Sequence, residues 1–217
     1  MRIGITGTFD VGKQSLARAL ASRLNLPLIT NNPEDSLVVL GEITTMGTVH
    51  VVRRKLRNDY STYQWDLLKR QINTEMRHQS GFVSDNTTLE MYVHYMLNSP
   101  DYIAFKEAYK NIALLEHFMN NYDYVIYIPL DVSQNYITND QELADYQYKV
   151  DKMIAQFVDC GRNVLTVAGD SFDDWVEESL KWILGDEYYI MPTPLVGDKE
   201  DFCERVCHSA CNEEHCR

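Results

Sequence analysis

The chain reads as an α/β protein built on a parallel sheet of about five strands with helices on both faces. Two observations carry that expectation. Short apolar runs alternate along most of the 217 residues with longer segments of helical period, and parallel strands joined by helical crossovers bury both kinds of segment. The first apolar run also enters a glycine-rich turn that opens straight into a helix, Gly7-Thr8-Phe9-Asp10-Val11-Gly12-Lys13-Gln14-Ser15. Gly7, Gly12 and Lys13 keep the spacing G-x-x-x-x-G-K, a loop whose backbone N–H groups curl around phosphates while its lysine reaches the β- and γ-phosphates.

Residues 2–6 form the strand that enters this loop, and residues 13–24 the helix that leaves it, with Leu16, Ala19, Leu20 and Leu24 on one face. Residues 27–30 read as a second strand, closed by the turn signal Asn31-Asn32-Pro33. Residues 36–57 carry mixed signals, a short helix over 36–43 and an extended piece over 49–52, before a basic run. Trp65, Leu68, Ile72 and Met76 step by three and four, which predicts a helix over 62–78. Residues 81–85 read as a short buried strand ending on Asp85, and residues 88–97 and 101–120 as helices, the second with Phe105, Ala108, Ile112, Leu115 and Met119 on one stripe. The aromatic and β-branched run 122–129 predicts a strand. A helix over 143–158, a strand over 164–168 and a helix over 172–184 complete the alternation. Beyond Gly185, Pro192, Pro194 and Gly197 mark a boundary. The expected organisation is one domain over 1–186 and a cysteine-rich tail over 187–217.

Composition narrows the partners. With 45% hydrophobic residues the chain has material for a core, so disorder is not its default. Twenty basic against 32 acidic residues leave a net charge of −12, which argues against a non-specific nucleic-acid binder. No apolar run reaches the length of a bilayer span, and the chain begins on a strand instead of a signal segment, so a soluble cytoplasmic protein without a membrane partner is expected.

Ligands of parallel sheets bind at the carboxyl ends of the strands. Asp85 stands at one such end, followed by Asn86-Thr87-Thr88; a carboxylate there can accept a proton from a substrate hydroxyl or organise Mg²⁺, and its plainer reading is a helix cap. Asp131, after the fourth strand, reads as a loop or cap residue. Four cations in five residues, Arg53, Arg54, Lys55 and Arg57, could meet a phosphate of an acceptor or a nucleic-acid backbone, or form a solvated face. Tyr92, Tyr95, Tyr102 and Tyr109 follow Asp85, where a ring could stack on a base or pack at a core edge. His94 and His117 are assigned no chemistry. In the tail, Cys203, Cys207 and Cys211 recur every four residues, with Cys216, His208 and His215 at hand as a fourth ligand. Zn²⁺, a reduced tail and a thiol contact in a homodimer are the competing readings, since paired C-x-x-C knuckles are absent.

The segments RIGITGTFDVGKQSLARALA, FVSDNTTLEMYVHY and YDYVIYIPLDV together resemble the small P-loop nucleoside and nucleotide kinases. They are most similar to the phage and bacterial AAA-type ATPases related to the ribosylnicotinamide kinase domain. The resemblance covers residues 1–184 in order and spacing, and only the phosphate loop is a specific motif. It implies a three-layer P-loop NTPase fold, ATP and Mg²⁺ as cofactors, and phosphoryl transfer to a small nucleoside-like acceptor in the cytoplasm, that of a host cell if the chain is phage-encoded. Three departures stand out. Gln14 takes the place of the Mg²⁺-ligating hydroxyl, with Ser15 one residue late. Asn86 replaces the arginine that usually follows the strand-end acid. The segment 132–151, where the lid would be, contains no arginine. Lys149 and Lys152 could substitute for it as point charges, and read more simply as a solvated helix face.

The expectation is thus an ATP-dependent kinase. Residues Gly7 to Ser15 cradle the nucleotide, Lys13 and Asp85 carry the chemistry, Ser15 and Gln14 serve Mg²⁺, and Arg53, Arg54, Arg57 and Tyr92 serve the acceptor. An ATP-holding regulatory module and a kinase acting on a modified base or end of DNA are the alternatives.

Overall fold

In a computed structural model of the chain, residues 1–30, 60–98, 120–130, 141–159, 163–185 and 188 are described. Ten elements follow in order: β1 (Arg2–Thr6), α1 (Lys13–Leu24), β2 (Leu28–Ile29), α2 (Tyr60–Arg77), β3 (Phe82–Ser84), α3 (Thr88–Asn98), β4 (Tyr124–Tyr127), α4 (Gln141–Val158), β5 (Val164–Thr166) and α5 (Phe172–Leu184). The five strands form one sheet in the order β2-β3-β1-β4-β5. Every pairing is parallel. The basic run at 53–57, all but the last residue of the expected helix over 101–120, the segment 131–140 and the tail from 189 onward lie outside the described residues.

Alternation along β4 shows how the layers form. Tyr127 faces Leu89 and Val93 of α3 and Val150 and Ile154 of α4 in one apolar cluster. Tyr124, three positions earlier and on the opposite face, meets Trp182 of α5 edge-on at 5.1 Å between ring centres. Helices therefore cover both faces. Ile3, Ile5 and Ile126 are fully buried between them. Strand ends fall slightly inside the expected bounds; β4 is confined to the four residues paired with Ile3 to Thr6. Asn25 closes α1 in the left-handed conformation at φ 52°, as Asn tolerates. Among the described residues no helix is long and apolar enough to cross a membrane.

Tyr122, expected in the strand, precedes it and does something else. Its ring crosses β1 at Gly4, where a Cβ would lie 2.8 Å from Thr87 Cγ2 and 2.9 Å from Tyr122 Cδ1. Beyond that gap its hydroxyl donates to Glu75 Oε1 on α2 (2.6 Å) and accepts from Thr88 N at the start of α3 (3.1 Å). Gln71 Nε2 and Asn121 Nδ2 also donate to Glu75, at 2.6 and 2.9 Å. Gln71 further reaches Ser84 Oγ at 2.7 Å, tying α2 to the end of β3. Burial raises the Glu75 carboxyl above its usual range, and these donors hold it back. Burial, and then the Glu75 charge, push the Tyr122 hydroxyl well above its ordinary value, so it stays a donor.

This network needs the open space over Gly4. Gly4→Ala puts a methyl against a fully occupied ring and should destabilise the fold by about 1–3 kcal/mol, the usual cost of overpacking. The midpoint of denaturant unfolding measures it, with an unchanged slope expected.

Candidate functional site

β1 and β3 are neighbours, Gly4 in register with Ser84, so the loop that leaves β1 and the residues that leave β3 emerge side by side at the carboxyl edge of the sheet. That edge is where a parallel sheet presents a crevice.

The loop's shape depends on glycine at both ends. Gly7 has φ +153°, and a Cβ there would lie 2.5 Å from the Ile128 carbonyl oxygen. Gly12, at φ +91°, stands directly before α1. No side chain caps α1, and its first turn holds no acidic residue. The free N–H groups of that turn and the positive end of the helix dipole are therefore left for an anion. Between the glycines, Val11 is buried, Phe9 is half-buried, and Asp10 is exposed at φ 62°. Phe9 stacks on Tyr146 of α4 with ring centres 6.3 Å apart, and its carbonyl accepts from Gln147 Nε2 at 2.8 Å. Thr8 is fully buried, and its hydroxyl oxygen has no hydrogen-bond partner among the described residues.

Lys13 is the charge inside. It is 8% exposed. Its Nζ donates to the carbonyls of Gly7 at 3.0 Å and Thr8 at 2.6 Å and lies 3.0 Å from Glu90 Oε1. An ammonium has three N–H donors, so these three acceptors match its capacity.

Glu90 comes from the first turn of α3, and the residue that starts this helix is Thr87. Thr87 Oγ1 accepts from Glu90 N at 3.3 Å and donates to Thr6 Oγ1 of β1 at 3.1 Å. The cap reading of Asp85 is corrected accordingly: Asp85 stands two residues upstream, at the strand end. It is 5% exposed, its N donates to the Ile29 carbonyl at 3.1 Å, and its Oδ1 accepts from Asn86 Nδ2 at 3.0 Å. Burial pushes the Glu90 carboxyl up to about 7, and the Asp85 charge adds to the rise while Lys13 opposes it. One turn along α3, His94 is buried, with Nε2 3.9 Å from Glu90 Oε1 and Nδ1 2.8 Å from the Tyr146 hydroxyl. Asn98 Nδ2 donates to the same hydroxyl at 2.8 Å.

Of the residues singled out in the sequence, the structure therefore brings together the loop, Lys13 and Asp85. Glu90 and His94 were missed as members of this cluster. Thr87-x-x-Glu90 has the spacing of a capping box, which places Glu90 in the first turn but says nothing of its partner across the sheet. Gln14 and Ser15 are exposed on α1. Tyr92 is buried at 2% exposure and Tyr95 is half-buried. Lys149 and Lys152 are exposed, Lys152 resting 5.3 Å over the Tyr148 ring, in keeping with a solvated face. Arg53, Arg54, Lys55, Arg57, Tyr102, Tyr109, His117, Asp131, Cys203, Cys207, His208, Cys211, His215 and Cys216 lie outside the described residues. Among the described residues no group of three His, Cys, Asp or Glu side chains could hold a metal ion.

No protein-family model matches the chain, and no curated protein matches it. Solved structures do. A deoxyadenosine kinase from M. mycoides with bound dATP is similar with a TM-score of 0.59 at 16% identity, over 84% of this chain and 99% of its own. The NadR protein in complex with NR reaches a TM-score of 0.59 at 13% identity, over 90% of this chain and 52% of its own. A shikimate kinase from Aquifex aeolicus reaches 0.50 at 16% identity, over 86% of this chain and 98% of its own.

The fold is that of the P-loop kinases. The three-layer α/β expectation holds, with the five-stranded parallel sheet in place.

A buried acid that titrates near neutrality leaves a mark on stability. Glu90 holds its proton up to about 7 in the folded chain, against a reference value of 4.5. The folded state therefore binds more protons than the unfolded one between those values, and stability falls as pH rises through that window. Glu90→Gln removes this component. Melting temperatures of the two proteins should differ by an amount that changes between pH 4.5 and 7 and levels off above.

Proposed function

We propose that the protein transfers the γ-phosphoryl group of ATP to a hydroxyl or phosphate of a small nucleoside-like acceptor. The observation that carries the reading is the meeting of an uncapped glycine-bounded loop, a buried Lys13 and the strand-end Asp85 at one edge of the sheet. ATP supplies the phosphoryl group and Mg²⁺ the charge that offsets its oxygens. The loop fits a row of phosphates: Gly7 and Gly12 take conformations a side chain would strain, and Thr8 offers a buried hydroxyl with no partner among the described residues. Mg²⁺ keeps most of its waters and takes only one or two protein oxygens. Gln14 and Ser15 on α1 and Asp85 at the end of β3 are the oxygens at hand for it.

In this reading Lys13 holds the β- and γ-phosphates by charge. Asp85, a buried carboxylate opposite the loop, orients the acceptor hydroxyl and takes its proton. The first turn of α1 adds N–H groups and the helix dipole. Positioning and electrostatics are what phosphoryl transfer asks of a protein. The resemblance to the ribosylnicotinamide kinase domain and the fold shared with a deoxyadenosine kinase favour a nucleoside-like acceptor.

Incubation with labelled ATP and a panel of nucleosides, nucleotides, ribosylnicotinamide and DNA tests the reading. A labelled small acceptor supports it, a labelled DNA end replaces the acceptor class, and no labelled product overturns the enzyme. Asp85→Asn keeps the size of the side chain but takes no proton. Turnover should fall by about 10² or more, the range general-base groups contribute, while ATP affinity stays within a few-fold. Lys13→Ala should remove transfer and weaken ATP binding together.

A second reading, an ATP-holding module with little turnover, is favoured by Gln14 and by the absence of arginine over 132–151. Gln14→Ser separates the two. Restored turnover in the Gln14→Ser protein, measured with and without Mg²⁺, supports the module. Unchanged or lower turnover supports a metal arrangement built around Gln14.

A further inference from the structure

We propose that Glu90 is the resident counter-ion of the phosphate loop, pairing with Lys13 while no phosphate is bound and taking up a proton when nucleotide draws the lysine away. The proposal rests on the reading of the loop as a nucleotide site and adds a residue and a linkage to it.

The geometry begins at Lys13 Nζ. Its three acceptors are the Gly7 and Thr8 carbonyls and Glu90 Oε1, at 3.0, 2.6 and 3.0 Å. Two of them are neutral oxygens of the loop itself. The third is an anion from another element, and it occupies the place that a phosphate oxygen would claim. An incoming phosphate carries more charge than one carboxylate, and the lysine cannot make a fourth hydrogen bond. Binding therefore exchanges one anion for another.

What remains is a glutamate with little to hold its charge. Glu90 is 5% exposed, and its Oε2 has no hydrogen-bond partner among the described residues. The titratable groups facing it among those residues are Lys13 at the start of α1, Asp85 before α3, and His94 one turn along α3, which in turn leans on the Tyr146 hydroxyl of α4. Lys13 is the partner that favours the ionised carboxyl, and Asp85 opposes it. With Lys13 still in place, burial already sets the carboxyl at about 7. Once the ammonium turns to a phosphate, the same burial and the same Asp85 act with less opposition, and nucleotide phosphates add negative charge nearby. The carboxyl then takes a proton from solvent and becomes a neutral acid, the form that burial favours.

Two consequences can be read. At a pH above 7, where resting Glu90 is mostly ionised, nucleotide binding takes up close to one proton. Affinity then weakens as pH rises above 7, by up to about tenfold per unit, until the bound-state value is passed. Below that window the linkage vanishes. The effect does not come from the nucleotide, since a phosphate entering a cationic loop releases protons instead of taking them up.

Isothermal calorimetry of ATP binding at about pH 8, in two buffers of different ionisation enthalpy, counts the protons exchanged. The wild-type protein alone suffices for this count, so it does not depend on any variant folding. The expected result is an uptake near one proton per ATP, and an uptake near zero in Glu90→Gln, with tighter ATP binding because the amide no longer competes for Lys13. His94→Gln, measured in parallel, should keep the uptake if Glu90 is the acceptor. Binding with no proton uptake in the wild-type, uptake unchanged in Glu90→Gln, or uptake lost in His94→Gln each overturns the assignment to Glu90. Failure of ATP to bind at all overturns the nucleotide site itself, a different result from binding without protons.

Discussion

An ammonium group held inside the end of a parallel sheet must be surrounded by acceptors, because the cost of taking it from water is far larger than any single contact returns. Lys13 meets that condition with two loop carbonyls and one carboxylate. The carbonyls are available because Gly7 folds the loop back in a conformation that leaves no room for a side chain. The carboxylate is available because Thr87 starts α3 where Glu90 faces the loop, and Thr87 is itself pinned to Thr6 of the strand that delivers the loop. Loop, strand and helix are thus mutually dependent through one charge, and the sheet register between β1 and β3 is what brings them to the same edge.

The same molecule holds a second buried glutamate, and the contrast between the two separates structure from function. Glu75 accepts from Tyr122, Asn121 and Gln71, three neutral donors fixed by packing. Each donor belongs to the framework, and none would be called away by a ligand. Among the described residues Glu90 is matched by a single cation, a lysine of the phosphate-loop motif, and one of its oxygens has no partner. Both carboxyls are raised by burial. A perturbed acid is therefore not diagnostic by itself; the identity of its partners is. Glu75 braces α2 against the residues that lead into β4, and Glu90 stands where charge is expected to change.

Much of this was legible in the sequence because its signals are local. The strand–loop–helix around Gly7 and Gly12 rests on short-range backbone chemistry, and α1 occupies the residues its apolar period marks out. The helices over 143–158 and 172–184 were readable for the same reason, with α4 beginning two residues earlier. Asp85 could be placed because a strand end is a local boundary. Glu90 could not be paired with Lys13, because 77 positions of chain separate them and only the crossover and the β1–β3 pairing close that distance. Tyr122 was read as strand on composition, and its role follows from a gap over Gly4 that no local pattern encodes.

The cluster also explains why Phe9 is not an arbitrary loop residue. It stacks on Tyr146, whose hydroxyl meets His94 and Asn98, while Gln147 holds the Phe9 carbonyl. α4 begins at Gln141, inside the segment 132–151 where a lid is expected, so the loop expected to hold phosphate is in direct contact with that segment through Tyr146 and Gln147. Glu90 Oε1 lies 3.9 Å from His94 Nε2, and Tyr146 is one contact further. Contact of this kind does not by itself amount to coupling between distant sites; that requires an element with two arrangements whose balance both ends shift. In the exchange of Lys13 between Glu90 and phosphate proposed above, the loop has two such arrangements, and the run of side chains from Glu90 through His94 and Tyr146 to Phe9 joins it to α4.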